Sequence, residues 1–268
     1  MGRRAAAFAA CGLLAACGLS AVGSALDEPS PIDRAIDAGP DGGDSDAFVD
    51  SGATLDADAG DADVTTITLV QSGQNIAVDA GVVAATIQAT TASDFVAVMV
   101  TMFRPQTATV TSITDNAPGG SNVYVSAGVR STVGVCQSSE IWYARAVKTG
   151  ATSVTATLSA EAIIQLWVLE LSGLSATGAV DVLSGDSGAP TTVVYAPAVH
   201  PSGVPAVIVN ATGSCMSVTG LHPGSAFTLL PIQRDNGASY FIANEAGTFG
   251  PVYDTTDASW NGSTAAFR

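Results

Sequence analysis

The sequence is short of charge, of base and of histidine. Only 12% of its 268 residues are charged, Lys and Arg together number 9, and there are 2 His. With so few bases the chain has no basic patch of the kind that nucleic-acid binding requires, which excludes nucleic acid as a partner. The apolar run near the start, Ala5 to Ala16, is shorter than the roughly 20 residues that span a bilayer. No stretch shows the periodicity of an amphipathic helix. Glycine-rich phosphate loops, closely spaced metal ligands and paired cysteine motifs are all missing, so the sequence implies no cofactor and no metal.

What remains is rich in Gly, Thr, Ser and Val, the composition of an all-β protein. Its acidity is local. Twelve of the 24 acids lie in residues 27–63 against one base, Arg34, and the formal charge of −15 belongs mainly to that stretch.

The start, MGRRAAAFAACGLLAACG, places Arg3 and Arg4 before the apolar run, the order of a secretory signal. The run ends in Leu14-Ala15-Ala16-Cys17, which resembles the lipobox of bacterial lipoproteins. A rival site, Phe8-Ala9-Ala10-Cys11, leaves almost no apolar core before it. The resemblance implies that residues 1–16 are a lipoprotein signal peptide and that Cys17 becomes the lipidated N-terminus. Gly18, a residue other than Asp, then favours the outer membrane of a Gram-negative cell. Two or three acyl chains, at about 0.8 kcal/mol per buried CH2, hold such a protein on a membrane stably.

Residues 17–63 read as a disordered Asp/Ala/Gly-rich linker with too little apolar surface to offset the entropy of folding. The 46 residues from Gly18 to Asp63 reach roughly 35–40 Å as a flexible coil, and like charges extend them further. The aspartates do not match the calcium-loop spacing D-x-[DN]-x-[DN]-G, so a solvated tether is the better reading.

Residues 64–268 read as one large folded domain. TTITLV opens it; DFVAVMVTMF (94–103) is an almost continuous apolar strand. In TSVTATLS (152–159) Val154, Ala156 and Leu158 alternate with Ser153, Thr155 and Thr157, and IIQLWVLELSG (163–173) and VPAVIVNAT (204–212) are further strands. Turn clusters such as DNAPGG, KTGA, HPSG and RDNG separate them. This spacing predicts two packed antiparallel sheets, a sandwich of jelly-roll type. Cys136 and Cys215 are the cysteines left in the domain, and an isolated pair in an exported protein reads as a disulfide.

SITDNAPGGSNVYVSA, IWYARAVKTGATSVTATLS, LWVLELSGL and ASWNGSTAAFR occur in an order that resembles secreted and surface β-sandwich domains of bacteria. The resemblance covers about 95–268 and implies an exported module, mostly of unknown activity. Leu171 stands where that pattern has Tyr, and the DNAPGGSN turn is longer than usual.

GDSGAP (185–190) differs by one letter from the motif around the serine of trypsin-like proteases. Ser187 is nevertheless read as a turn residue. Both histidines, His200 and His222, follow it, which defeats the His-Asp-Ser order, and Ala189 replaces the second Gly of a nucleophile elbow. Glu140, Glu161, Glu170, Glu245, Asp254 and Asp257 are the carboxylates that glycoside hydrolysis would draw on. Glu170 stands out, since it shares a face with Leu166 and Val168 in an apolar strand, but a structural carboxylate is the simpler reading. Trp142, Tyr143, Trp167 and Trp260 are read as core, with a sugar-stacking platform as the alternative; His200 and His222 each begin a turn before Pro.

The expectation is therefore a non-enzymatic, lipid-anchored cell-surface protein whose sandwich binds a glycan or another surface protein. A polysaccharide-active enzyme and a structural envelope protein without a specific ligand are the alternatives.

Overall fold

The computed structural model describes residues 66–105, 107–134, 137–215 and 217–268. The expectations for residues 1–63, Cys17 included, and the Cys136 half of the cysteine pair lie outside the described residues. Among the described residues every element is a strand.

Six consecutive strands build the first sheet: β1 (Thr68–Thr86), β2 (Phe95–Phe103), β3 (Val110–Asp115), β4 (Val125–Val133), β5 (Gln137–Ala144) and β6 (Ser153–Ser172). Their order is β1-β6-β2-β5-β4, with β3 also on β6. The second sheet holds β7 (Val182–Tyr195), β8 (Ala206–Ser214), β9 (Val218–Leu221), β10 (Thr228–Leu229), β11 (Gly237–Ala243) and β12 (Val252–Phe267). Its order is β10-β11-β8-β12-β7, with β9 also on β12. All pairings are antiparallel. The two-sheet antiparallel sandwich is thus the observed architecture. The chain completes one sheet before starting the other, and so passes between the layers once rather than repeatedly as in a jelly roll.

The segments 152–159 and 163–173 belong to one strand, β6. It turns a corner at Ser159, Ala160 and Glu161, which are exposed, while β1 turns at two register shifts between Ala77 and Val82. Asp79, at the corner of β1, has φ 49°, one of the short polar residues that tolerate the left-handed region. Beyond the corners, Val82–Thr86 pairs with Ser153–Thr157, and β3 joins the other edge of β6. This ribbon covers the outer face of the first sheet: Val83, Ala85, Ile113, Val154 and Ala156 pack with Val96, Val98 and Val100 of β2. The opposite side of β2, with Phe95, Ala97 and Met99, faces the second sheet. β2 is therefore apolar at nearly every position because both of its faces are covered.

The space between the sheets is divided. At one end Phe95, Tyr143 and Phe267 cluster at centroid distances of 4.8–5.9 Å, Phe95 stacked on Tyr143 and Phe267 tilted against both, with the Arg145 guanidinium over all three rings. Further along the same strands the inward side chains become polar: Thr101, Gln137, Ser139, Gln165, Asn236, Asn261 and Ser263, each no more than 1% exposed. Most of them are hydrogen-bonded to one another, Ser139 meets Ser263 across the sheets at 2.9 Å, and Asn261 accepts from Gly213 N–H and donates to Ser131 O.

GDSGAP lies in the middle of β7 and not in a turn. Ser187 pairs with Asn261 of β12. The glycines serve close packing: a Cβ on Gly185 would lie 2.6 Å from Val129 Cγ2, and one on Gly188 would lie 2.6 Å from Cε2 of the Trp260 indole.

Candidate functional site

The residues that the sequence offered for nucleophilic catalysis do not come together. Ser187 is exposed on the edge strand β7, and its backbone N–H bonds its neighbour Asp186 Oδ1 at 2.7 Å. His200 Nδ1 bonds Thr248 Oγ1 at 3.1 Å, and His222 Nδ1 bonds Asp254 Oδ1 at 2.7 Å. Both histidines lie outside the strands, as their His-Pro context indicated.

The tryptophans are anchors of the fold. Trp167 is fully buried and donates from Nε1 to Pro231 O at 2.9 Å; Trp260 is buried against β7; half-buried Trp142 donates to Glu140 Oε2 at 3.2 Å. Tyr143 belongs to the aromatic end of the interior.

Of the acids named from sequence, Glu161, Glu245 and Asp257 are exposed and Asp254 is half-buried on His222. Glu140 is buried on the outer side of β5, 3.3 Å from Arg130 Nε, and also accepts from Val110 N. Burial raises its pKa, against the opposing pull of Trp142, Val110 N–H and Arg130. Glu170 is 1% exposed and accepts from Thr91 N at 2.6 Å and Gln71 Nε2 at 2.5 Å. Its carboxyl also meets that of Asp94, whose pKa is pushed up to about 6 by burial and then by the hydrogen bond and negative charge of Glu170. Asp94 carries no motif and sits before an apolar strand, so only the pairing of β2 with β6 places it there.

A concave surface that the sequence did not announce lies on the second sheet. The turn between β9 and β10, the segment before β12 and the end of β7 enclose a depression of about 310 Å3. Tyr195, 72% exposed, stands at the end of β7, and Phe227, Phe249 and His222 also line it. Phe241 braces the floor, 5.5 Å from Phe227 and 5.0 Å from Phe249 between ring centroids. The turn is held by His222 N–H to Val252 O at 2.8 Å and Ser225 N–H to His222 O at 3.1 Å. The Ser225 hydroxyl, also at this site, is buried and has no hydrogen-bond partner among the described residues. The arrangement offers aromatic faces and a fixed imidazole, the mix of apolar wall and few polar groups typical of ligand sites. The sequence signal for it was faint: Tyr195, Phe227 and Phe249 are far apart in the chain, and only the bridge Val199–Phe249 and the pairing of β12 with β7 and β9 gather them.

No protein-family model matches the chain, and neither a curated protein nor a solved structure is similar to it.

Proposed function

We propose that this chain is a lipid-anchored envelope protein whose sandwich is a binding module for a surface glycan, with the depression on the second sheet as the binding face. The exposed Tyr195 ring beside Phe227, Phe249 and His222 carries this reading. A sugar ring presents C–H bonds to stack on an exposed aromatic face and hydroxyls to bond to nearby polar groups. His222 is oriented by Asp254, so its other ring nitrogen has a defined direction for a hydroxyl contact. The anchor at Cys17 and the acidic tether belong to the same reading, which places the module at the outer membrane. So does a disulfide between Cys136 and Cys215.

The test is retention of the whole chain in affinity gels that contain envelope polysaccharides. Retention that Tyr195→Ala weakens about tenfold, the scale of a lost stacking contact, supports the reading. Unchanged retention in Tyr195→Ala refutes this face, and release of shorter sugars from the polymer refutes a pure binding role.

A further inference from the structure

The polar half of the sandwich interior ends in a second cavity, which shares no lining residue with the depression described above. It measures about 120 Å3 and is lined by Phe103, Gln137, Gln165, Ser214, Arg234 and Asn236, among others. The hydrogen bonds around it leave no freedom in the amide orientations. Ser214 N–H donates to Asn236 Oδ1 at 3.1 Å, which fixes the Asn236 side chain. Gln137 must then present Nε2 to the same oxygen, while Asn236 Nδ2 and Thr101 Oγ1 both donate to Gln165 Oε1.

Two polar atoms are left over. Gln137 Oε1 is buried without a donor, in a residue that is 0% exposed. Gln165 spends its oxygen on two donors, and its Nε2 makes no hydrogen bond among the described residues. A buried acceptor without a donor is unfavourable, so its persistence beside a cavity calls for a group that enters from outside. One group that donates to Gln137 Oε1 and accepts from Gln165 Nε2 would satisfy both, and a hydroxyl can do so. Asp235 also lines the cavity beside the amides, Phe103 and Ile163, and accepts from Ser217 Oγ at 2.9 Å, so an anion is disfavoured there and a neutral group suits the lining. At the exposed rim Arg234 makes no ion pair among the described residues and has donors for further oxygens. A single water needs only about 10–15 Å3, so the cavity is several times larger than one water requires.

We propose that this cavity is a binding site for a small polyhydroxyl molecule, a single sugar unit or polyol, held by one hydroxyl between Gln137 Oε1 and Gln165 Nε2 and by others at Arg234. Gly213 belongs to the site, because a Cβ there would lie 2.6 Å from Gln137 Cδ and displace the amide.

The experiment is a titration of the whole, 15N-labelled chain with glycerol, glucose, galactose and N-acetylglucosamine, read by calorimetry and by glutamine side-chain amide signals. At least one probe is expected to bind saturably, to shift two glutamine amides, and to lose affinity about three- to tenfold in Arg234→Ala and in Gln165→Met. Arg234 is exposed, so its variant keeps the test decisive if Gln165→Met does not fold. Tyr195→Ala is expected to leave this binding unchanged, which separates the site from the sheet-two depression. Amides unmoved by every probe up to roughly 100 mM would show that the cavity holds water only and overturn the proposal. Binding that persists in Arg234→Ala and Gln165→Met would overturn it as well.

Discussion

Asp94 and Glu170 meet carboxyl to carboxyl where the chain leaves β1 and enters β2, both buried. Glu170 accepts from Thr91 N–H and Gln71 Nε2, and its carboxyl beside Asp94, together with burial, favours a proton on Asp94. Tyr124, raised by burial and by Asp115, also feels the Glu170 charge, and Asp115 accepts from Tyr124 OH at 3.0 Å.

The pair makes stability depend on pH in a defined sense. The folded pKa of Asp94, about 6, lies above its ordinary value of 3.8, so the folded state holds this proton more tightly than the unfolded chain does. Its contribution is complete below about pH 4 and is lost as pH rises through about 6. Glu140, also raised by burial, acts in the same sense. Thermal unfolding followed between pH 4 and 8 should show this decline, and Asp94→Asn should flatten it and stabilise the protein at pH 8 by about 1–3 kcal/mol. A slope unchanged in Asp94→Asn would rule the pair out as its source.

Packing of β7 against the Trp260 indole makes a second prediction. Gly188→Ala puts a methyl within van der Waals overlap of the ring and should cost about 1–3 kcal/mol in denaturant unfolding. Ser187→Ala, exposed on the same strand, should stay within about 0.5 kcal/mol of the parent. A Ser187→Ala variant that unfolds easily would contradict its placement.

Pairing of Cys136 with Cys215, proposed above, closes a loop of about 80 residues and in the chain-entropy account stabilises by about 4–5 kcal/mol. Peptide mapping without reductant should find the two cysteines in one linked fragment, and Cys136→Ser should lower the unfolding midpoint sharply. Two free thiols would dismiss the bridge.

Anchoring through Cys17 predicts that Cys17→Ser moves the chain from the membrane fraction to the soluble one, while Cys11→Ser leaves it in place. Fractionation of cells that express each variant distinguishes the two candidate cysteines.

The sequence by itself determined the class of fold and the position of several strands, because the period-two alternation of Val154, Ala156 and Leu158 and the unbroken run of β2 are local consequences of burial. It also marked Glu170 as a buried carboxylate. Only the tertiary structure decided the rest. GDSGAP carries the letters of a turn, but its glycines answer to Val129 and Trp260, neighbours far away in the chain. Asp94 became a partner of Glu170 through strand register. Tyr195, Phe227 and Phe249 form a concave face only because β7, β9 and β12 pair, and Gln137, Gln165 and Asn236 surround one cavity because strands from both sheets place their inward side chains there. Local patterns report whether a residue is buried; which residues it is buried against depends on contacts between distant parts of the chain.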